Sequence, residues 1–289
     1  MKKNIIIVVN PISGGIDKSE FINAMKIFAF NENLNLIQYE TSGKNDMQKV
    51  KILYDKYLPE RIVIVGGDGT IKMVAEAIES KVVILGILPA GSANGLSVDL
   101  DLMRTLDENM GIAFGNNYIE LDTIDINGKK CYHLSDLGLN AELVKNYKKS
   151  DIRGKWGYIL QVLTTLMDLG EPFKATITAN NQTLKSEARM IVIANSKRYG
   201  NGVTINPSGV MNDGKFELVI IKNIDLVVFV KIITGNIPVN SEDIEIISTD
   251  KATIKTNVPV SFQIDGEYCG ALSKLDIKIV PQKIKVAIS

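Results

Sequence analysis

Short apolar runs rich in β-branched residues alternate with longer amphipathic stretches from residue 5 to residue 89. Ile5 to Val9, Leu34 to Tyr39, Arg61 to Val65 and Val82 to Leu88 read as strands, the first of them apolar on both faces. Between them, Phe21, Met25, Ile27 and Phe28 recur at helical spacing after a start at Asp17 to Glu20, and Met47, Val50, Leu53 and Tyr54 mark a second helix ended near Pro59. Ile71 to Ile78 forms a third. Strand-helix alternation of this kind demands a parallel sheet covered by helices on both faces.

The texture changes near residue 120. Tyr118 to Ile126, Phe173 to Ala179, Ala188 to Ala194, Phe216 to Ile221, Lys251 to Lys255, Val260 to Ile264 and Lys274 to Val280 are strand-like. Asn127-Gly128, Asn180-Asn181, Asp213-Gly214 and Asp265-Gly266 supply turns between them. One helix, Trp156 to Leu169, interrupts the strands; such a stripe is more often core packing, and its leucines read as core, while Trp156 and Tyr158 after Arg153 and Lys155 could sit at a bilayer interface or rim an acyl groove. The chain is long enough for two cores. The expectation is an α/β domain over residues 1–121 and a mainly antiparallel β domain over residues 122–280, with residues 281–289 free to return to the first.

Lys plus Arg and Asp plus Glu are equal at 33 each, so no basic excess holds nucleic acid or anionic lipid by its field. No apolar stretch is long enough to span a membrane; the nearest, Leu218 to Ile233, is broken by Lys222, Asp225 and Lys231. The start, Met1 to Val9, is too short in apolar residues for a signal peptide. A cytoplasmic protein is expected, at most peripheral at the inner membrane face, and a homo-oligomer is compatible with everything in the sequence. Cys131 and Cys269 fit no metal spacing and read as buried thiols. His133 is the only histidine, which argues against a histidine zinc site and a Ser-His-Asp triad.

Three glycine-bearing loops follow strands. Gly66-Gly67-Asp68-Gly69-Thr70 lies between a β-branched strand and a helix, where glycines let backbone N–H groups approach an oxyanion and the helix adds its positive end. Asp68 carries the wrong sign for phosphate, so it either holds Mg²⁺ or anchors hydrogen bonds; taken alone, the loop could be a tight turn with Asp68 or Thr70 as a helix cap. Asn10-Pro11-Ile12-Ser13-Gly14-Gly15 and Pro89-Ala90-Gly91-Ser92-Ala93-Asn94-Gly95 end the first and fourth strands. In an open parallel sheet such loops gather along one edge, where ligands bind. Neither GxGxxG nor GxxxxGK[ST] occurs at these loops.

Taken together, these loops resemble the diacylglycerol kinase catalytic-domain family, which includes bacterial lipid kinases and the sphingosine and ceramide kinases. The likeness covers nearly the whole chain: NPxSG at Asn10 to Gly14, Thr41, GGDGT at Gly66 to Thr70, PxGSxN at Pro89 to Asn94, Asn206-Pro207 with Asp213-Gly214, and Asp265-Gly266-Glu267. The resemblance implies an α/β domain and a β-sandwich domain with ATP in the cleft between them. It implies that Asn10, Pro11, Ile12, Ser13, Gly14, Thr41, Gly66, Gly67, Asp68, Gly69, Thr70, Ile71, Lys72, Ser92 and Asn94 hold the nucleotide. It implies a general base at Asp265 or Glu267, a Mg²⁺ held by Asp213 with the carbonyls of Val210 and Lys215, and Asp122 in a metal and water network near Asp68. The acceptor it implies is a membrane lipid hydroxyl, diacylglycerol-like, reached from the membrane surface.

The chain departs from the family at three places. Lys72 and Met73 stand where the family has Asn-Glu after an apolar residue, and Gly95 stands where many bacterial members have Asp. Two other readings therefore stay open: a phosphotransferase like NAD kinase, with a soluble acceptor, and a lipid- or nucleotide-binding protein that has lost catalysis.

Overall fold

A computed structural model describes residues 2–79, 81–138, 141, 171–199, 203–223 and 242–289. The expected helix over Trp156 to Leu169, residues 200–202 and the apolar stretch beyond residue 223 lie outside the described residues. The chain divides into two compact units, one of residues 1–121, 200–202 and 282–289, the other of residues 122–199 and 203–281.

The first unit begins with β1 (Asn4–Val9), α1 (Ser19–Asn31), β2 (Asn35–Glu40), α2 (Asp46–Tyr57), β3 (Arg61–Gly66), α3 (Asp68–Ala77) and β4 (Ile84–Pro89). A short α4 (Gly95–Asp99) and α5 (Leu106–Phe114) follow. β2, β1, β3 and β4 lie side by side and parallel. Ile5, Ile7 and Val9 face a core shared with Met25 of α1 and with Met110 and Ala113 of α5. Ile6 and Val8, by the alternation of a strand, point to the opposite face, and all five are buried. That two-sided burial is why Ile5 to Val9 contains no polar position. The fourth strand starts at Ile84 rather than at Val82, whose side chain is 82% exposed.

The second unit holds β5 (Tyr118–Ile126, entered from the first unit), β6 (Lys129–Cys131), β7 (Leu134–Gly138), β8 (Phe173–Ala179), β9 (Gln182–Ala188) and β10 (Met190–Ala194). After the small β11 (Arg198–Tyr199) and β12 (Val203–Thr204) come β13 (Phe216–Ile221), β14 (Ile244–Thr249), β15 (Lys251–Ile264) and β16 (Glu267–Ala287). The expected run Ala188 to Ala194 is two strands that part at Arg189. The expected Lys251 to Lys255 and Val260 to Ile264 are one strand with a register shift between Lys255 and Val260. That irregularity lets β15 serve two layers: its first half pairs with β8 and its second half with β7. Phe262, Phe216, Ile177, Ile254 and Ile277 fill the apolar space between the layers. β16 is long: Glu267 to Lys278 pair with β15, whereas Lys285 and Val286 pair parallel with β4 of the first unit. Cys131 is fully buried and Cys269 half-buried, and neither is in a disulfide among the described residues.

Candidate active site

In the first unit, the loops after β1, β3 and β4 interlock at the carboxyl edge of the sheet. Gly67 and Gly91 touch backbone to backbone, so that a Cβ built on Gly91 would lie 2.4 Å from the Cα of Gly67. Gly14, at a φ of 64°, is equally hemmed in, because its Cβ would meet the Ala90 carbonyl at 2.7 Å. The Ala90 N–H donates to the Gly66 carbonyl, and the Asn10 N–H to the Val65 carbonyl, both at 2.9 Å.

Side chains complete the seam. The Asp68 carboxylate accepts from the N–H groups of Gly95 at 2.8 Å and Leu96 at 3.0 Å, which caps α4 and ties the GGDGT loop to the third loop. Asn10 Nδ2 donates to Thr70 Oγ1 at 3.0 Å. Asn94, left-handed at a φ of 53°, exchanges two hydrogen bonds with the backbone of Gly91. Of the nucleotide residues expected from sequence, Asn10, Ser13, Gly14, Thr41, Gly66 to Thr70 and Asn94 lie on these joined loops or beside them. Ser92 is exposed at the tip of the third, and Lys72 is half-buried on α3. Ile71 is 2% exposed, so its side chain belongs to the core.

A cavity of about 260 Å³ opens here, lined by Asn10, Pro11, Ile12, Thr41, Gly69, Thr70 and Met73, and closed by a fourth loop, Ser42 to Asp46. Met73, a point of departure from the family, thus puts a thioether in the wall. The fourth loop is built round Asp46, which is 8% exposed and accepts from Ser42 N–H at 2.9 Å, Gly43 N–H at 2.7 Å, Ser42 Oγ and Tyr39 Oη. Burial works to raise the Asp46 pKa, but these donors together outweigh it and hold the carboxyl below its ordinary value. Burial, reinforced by the bond to Asp46, pushes the Tyr39 phenol up to about 12. Sequence reasoning found only Thr41, just before this loop, although a Thr-Ser-Gly run after a strand carried the same signal as the other three.

Lys18 was also missed. It is 4% exposed, and its ammonium donates to the Ser13 carbonyl at 2.6 Å and the Ile16 carbonyl at 2.7 Å, pinning the turn at Ser13 to Gly15. Burial lowers its pKa. Nothing in the sequence marks that lysine, because its partners are carbonyls.

In the second unit, Asp265 and Gly266, with φ of 48° and 79°, are the two-residue turn between β15 and β16. The Asp265 carboxylate accepts from the N–H groups of Tyr132, His133 and Leu134 at 3.0 to 3.3 Å. His133 is buried and takes part through its backbone. Glu267 is exposed at the start of β16. Asp122 is fully buried, and its Oδ2 accepts from Gly214 N–H at 2.7 Å, the residue after Asp213. Asp213 is exposed, and its Oδ1 accepts from Lys215 N–H at 3.0 Å. Val210 is 44% exposed in the same segment. Among the described residues no three His, Cys, Asp or Glu side chains come together.

Residues 4–126 match the diacylglycerol kinase catalytic domain, and residues 136–288 match the YegS C-terminal NAD kinase beta sandwich-like domain. The protein named "Probable lipid kinase YegS" in Escherichia fergusonii is 26% identical over 232 residues, 78% of this chain and 76% of that one. "Probable lipid kinase YegS-like" of Citrobacter koseri is 25% identical over 234 residues, 78% and 77% of the two chains. A crystal structure of a diacylglycerol kinase from Bacillus anthracis superposes with a TM-score of 0.76 at 17% identity, covering 99% of this chain and 97% of that one, and shares the fold. With its parallel α/β unit, its β sandwich and its two matching domains, the chain belongs to the diacylglycerol kinase catalytic-domain family.

Proposed function

We propose that the chain is an ATP-dependent lipid kinase that moves the terminal phosphoryl group of ATP to a lipid hydroxyl, diacylglycerol-like in kind. One observation carries the nucleotide half: the backbone contact of Gly67 with Gly91, locked by Asp68 on α4, leaves glycine loops and a helix start exposed at one sheet edge. The names of the curated relatives support the lipid half.

In this reading Ser13, Gly14, Gly67 and Gly69 approach the phosphates through backbone N–H groups, and Asn10, Thr41 and Thr70 border the rest of the nucleotide. Glu267 is the base, taking the proton from the acceptor hydroxyl as its oxygen bonds the phosphorus and ADP leaves. Asp265 is a poor base because three backbone N–H groups already occupy its carboxylate, which disfavours protonation. Mg²⁺, when bound, neutralises charge on the β- and γ-phosphates. Within the second unit, Asp213 with the carbonyls of Val210 and Lys215 would hold an ion, and these donors are all oxygen, as a hard cation requires.

Purified protein given γ-labelled ATP, Mg²⁺ and a total lipid extract is expected to yield a labelled phospholipid. A parallel sample with NAD in place of lipid tests the soluble-acceptor reading, which the NAD kinase-like second domain keeps in view. Label in NAD alone, or in nothing, would refute the lipid assignment. Loss of labelling in Glu267→Gln, with Asp265→Asn impaired chiefly in stability, is the expected division of roles.

A further inference from the structure

The Asp265-Gly266 turn is gripped from two sides, and only one grip belongs to the turn's own carboxylate. The other is Gln263, 2% exposed, one residue before Ile264 on β15. Its Oε1 accepts from Gly266 N–H at 2.7 Å, and its Nε2 donates to Oδ2 of Asp136, which is fully buried on β7. The orientation of the amide is fixed by chemistry: a backbone N–H can only donate, so the oxygen must face Gly266 and the NH₂ must face Asp136. Ser135 Oγ donates to the Gln263 carbonyl at 2.5 Å, holding the same residue by its backbone. Gly266 immediately precedes Glu267, and Ile264 pairs with Glu267 across the hairpin. A chain of hydrogen bonds therefore runs from a carboxylate in the sandwich to the Asp265–Gly266 peptide, one peptide short of Glu267.

Resting on the assignment of Glu267 as base, we infer that Asp136 and Gln263 are positioning residues for the phosphoryl transfer, setting where the Glu267 carboxylate sits. A buried carboxylate is costly to keep merely as packing, since an apolar side chain would fill the position without desolvating a charge. Positioning residues act on kcat: a displacement of the base by about 1 Å costs up to a hundredfold.

The test uses the full chain. Gln263→Glu sets a carboxylate against Asp136 and is expected to lower kcat roughly tenfold to a hundredfold while KM for ATP stays within about threefold. Asp136→Asn, which keeps an acceptor for Gln263 Nε2, is measured alone as the parent of the double variant. Combining the two substitutions reverses the bond: the amide introduced on β7 donates, the carboxylate introduced on β15 accepts from it and from Gly266 N–H, and kcat is expected to return. Should Gln263→Glu fail to fold, Gln263→Leu removes both bonds without adding charge and carries the same expected loss. A folded Gln263→Glu or Gln263→Leu with wild-type kcat overturns the inference, as does a folded double variant that stays slow. Glu267→Gln is measured alongside: full activity there removes the base assignment and the inference with it, whereas loss there with fast Gln263 variants removes the inference alone.

Discussion

Gly91 and Gly67 meet at a distance that admits no other side chain, whereas a Cβ on Gly69 would meet nothing within 4 Å. The two positions therefore separate fold from site. Gly91→Ala must push one loop off the other and is expected to cost about 2 kcal/mol or more of stability, read as a fall in Tm. Gly69→Ala is expected to keep Tm and to weaken ATP binding in calorimetry, as befits an amide that phosphate approaches closely. Asp46 carries a pH dependence. Its folded pKa lies below the ordinary value, so its contribution is present above the unfolded pKa and lost as pH falls through the folded one. Asp46→Asn should cost about 1–2 kcal/mol at pH 7 and progressively less as pH falls below about 4, followed by denaturant midpoints. Tyr39 acts at the other end: its phenol is held neutral up to about 12, so stability drops between roughly pH 10 and 12, and Tyr39→Phe should remove that slope. At this scale the sequence singled out residues with a motif around them, such as Asp68, which ties its loop to α4. It hid Lys18, Asp46, Asp136 and Gln263, whose roles come from partners far along the chain or from backbone atoms, which leave no signature of residue type.

Helix ends were legible where capping chemistry is local. Thr105 and Glu108 form a reciprocal capping box at the start of α5. The S/T-x-x-E spelling was there in the sequence, although α5 went unread because its apolar face is short. Thr105→Ala is expected to cost about 1 kcal/mol, checked by thermal melts. The other end of α2 holds a liability. Leu58 sits left-handed at a φ of 45° with its side chain 70% exposed, capping Tyr54 through its N–H. Leu58→Gly relieves the strain while keeping that bond, and Tm should rise by the equivalent of about 1 kcal/mol. Strands were harder. β9 and β14 have little apolar alternation of their own and owe their existence to neighbours β8 and β13. The parallel strands β1, β3 and β4 were read nearly to the residue, because burial on both faces writes itself directly into composition.

Across the whole molecule, the described residues contain no helix long and apolar enough to cross a membrane. The feature that most governs assembly is β16. Ile284, Val286 and Ala287 are buried in the first unit, beside β4, although they are among the last residues of the chain. Deleting residues 282–289 should destabilise the first unit by about 4 kcal/mol from the lost apolar burial, seen as an early melting transition, with no change to residues 1–121 themselves. During translation the same arrangement imposes a wait. After residue 121 leaves the ribosome, β4 stays an open sheet edge until residue 285 emerges, which at about 5–20 residues per second is roughly 8 to 33 seconds. An apolar strand edge left bare for that long is a template for wrong pairing. Nascent chains of this protein should therefore bind a holding chaperone until residue 285 has emerged.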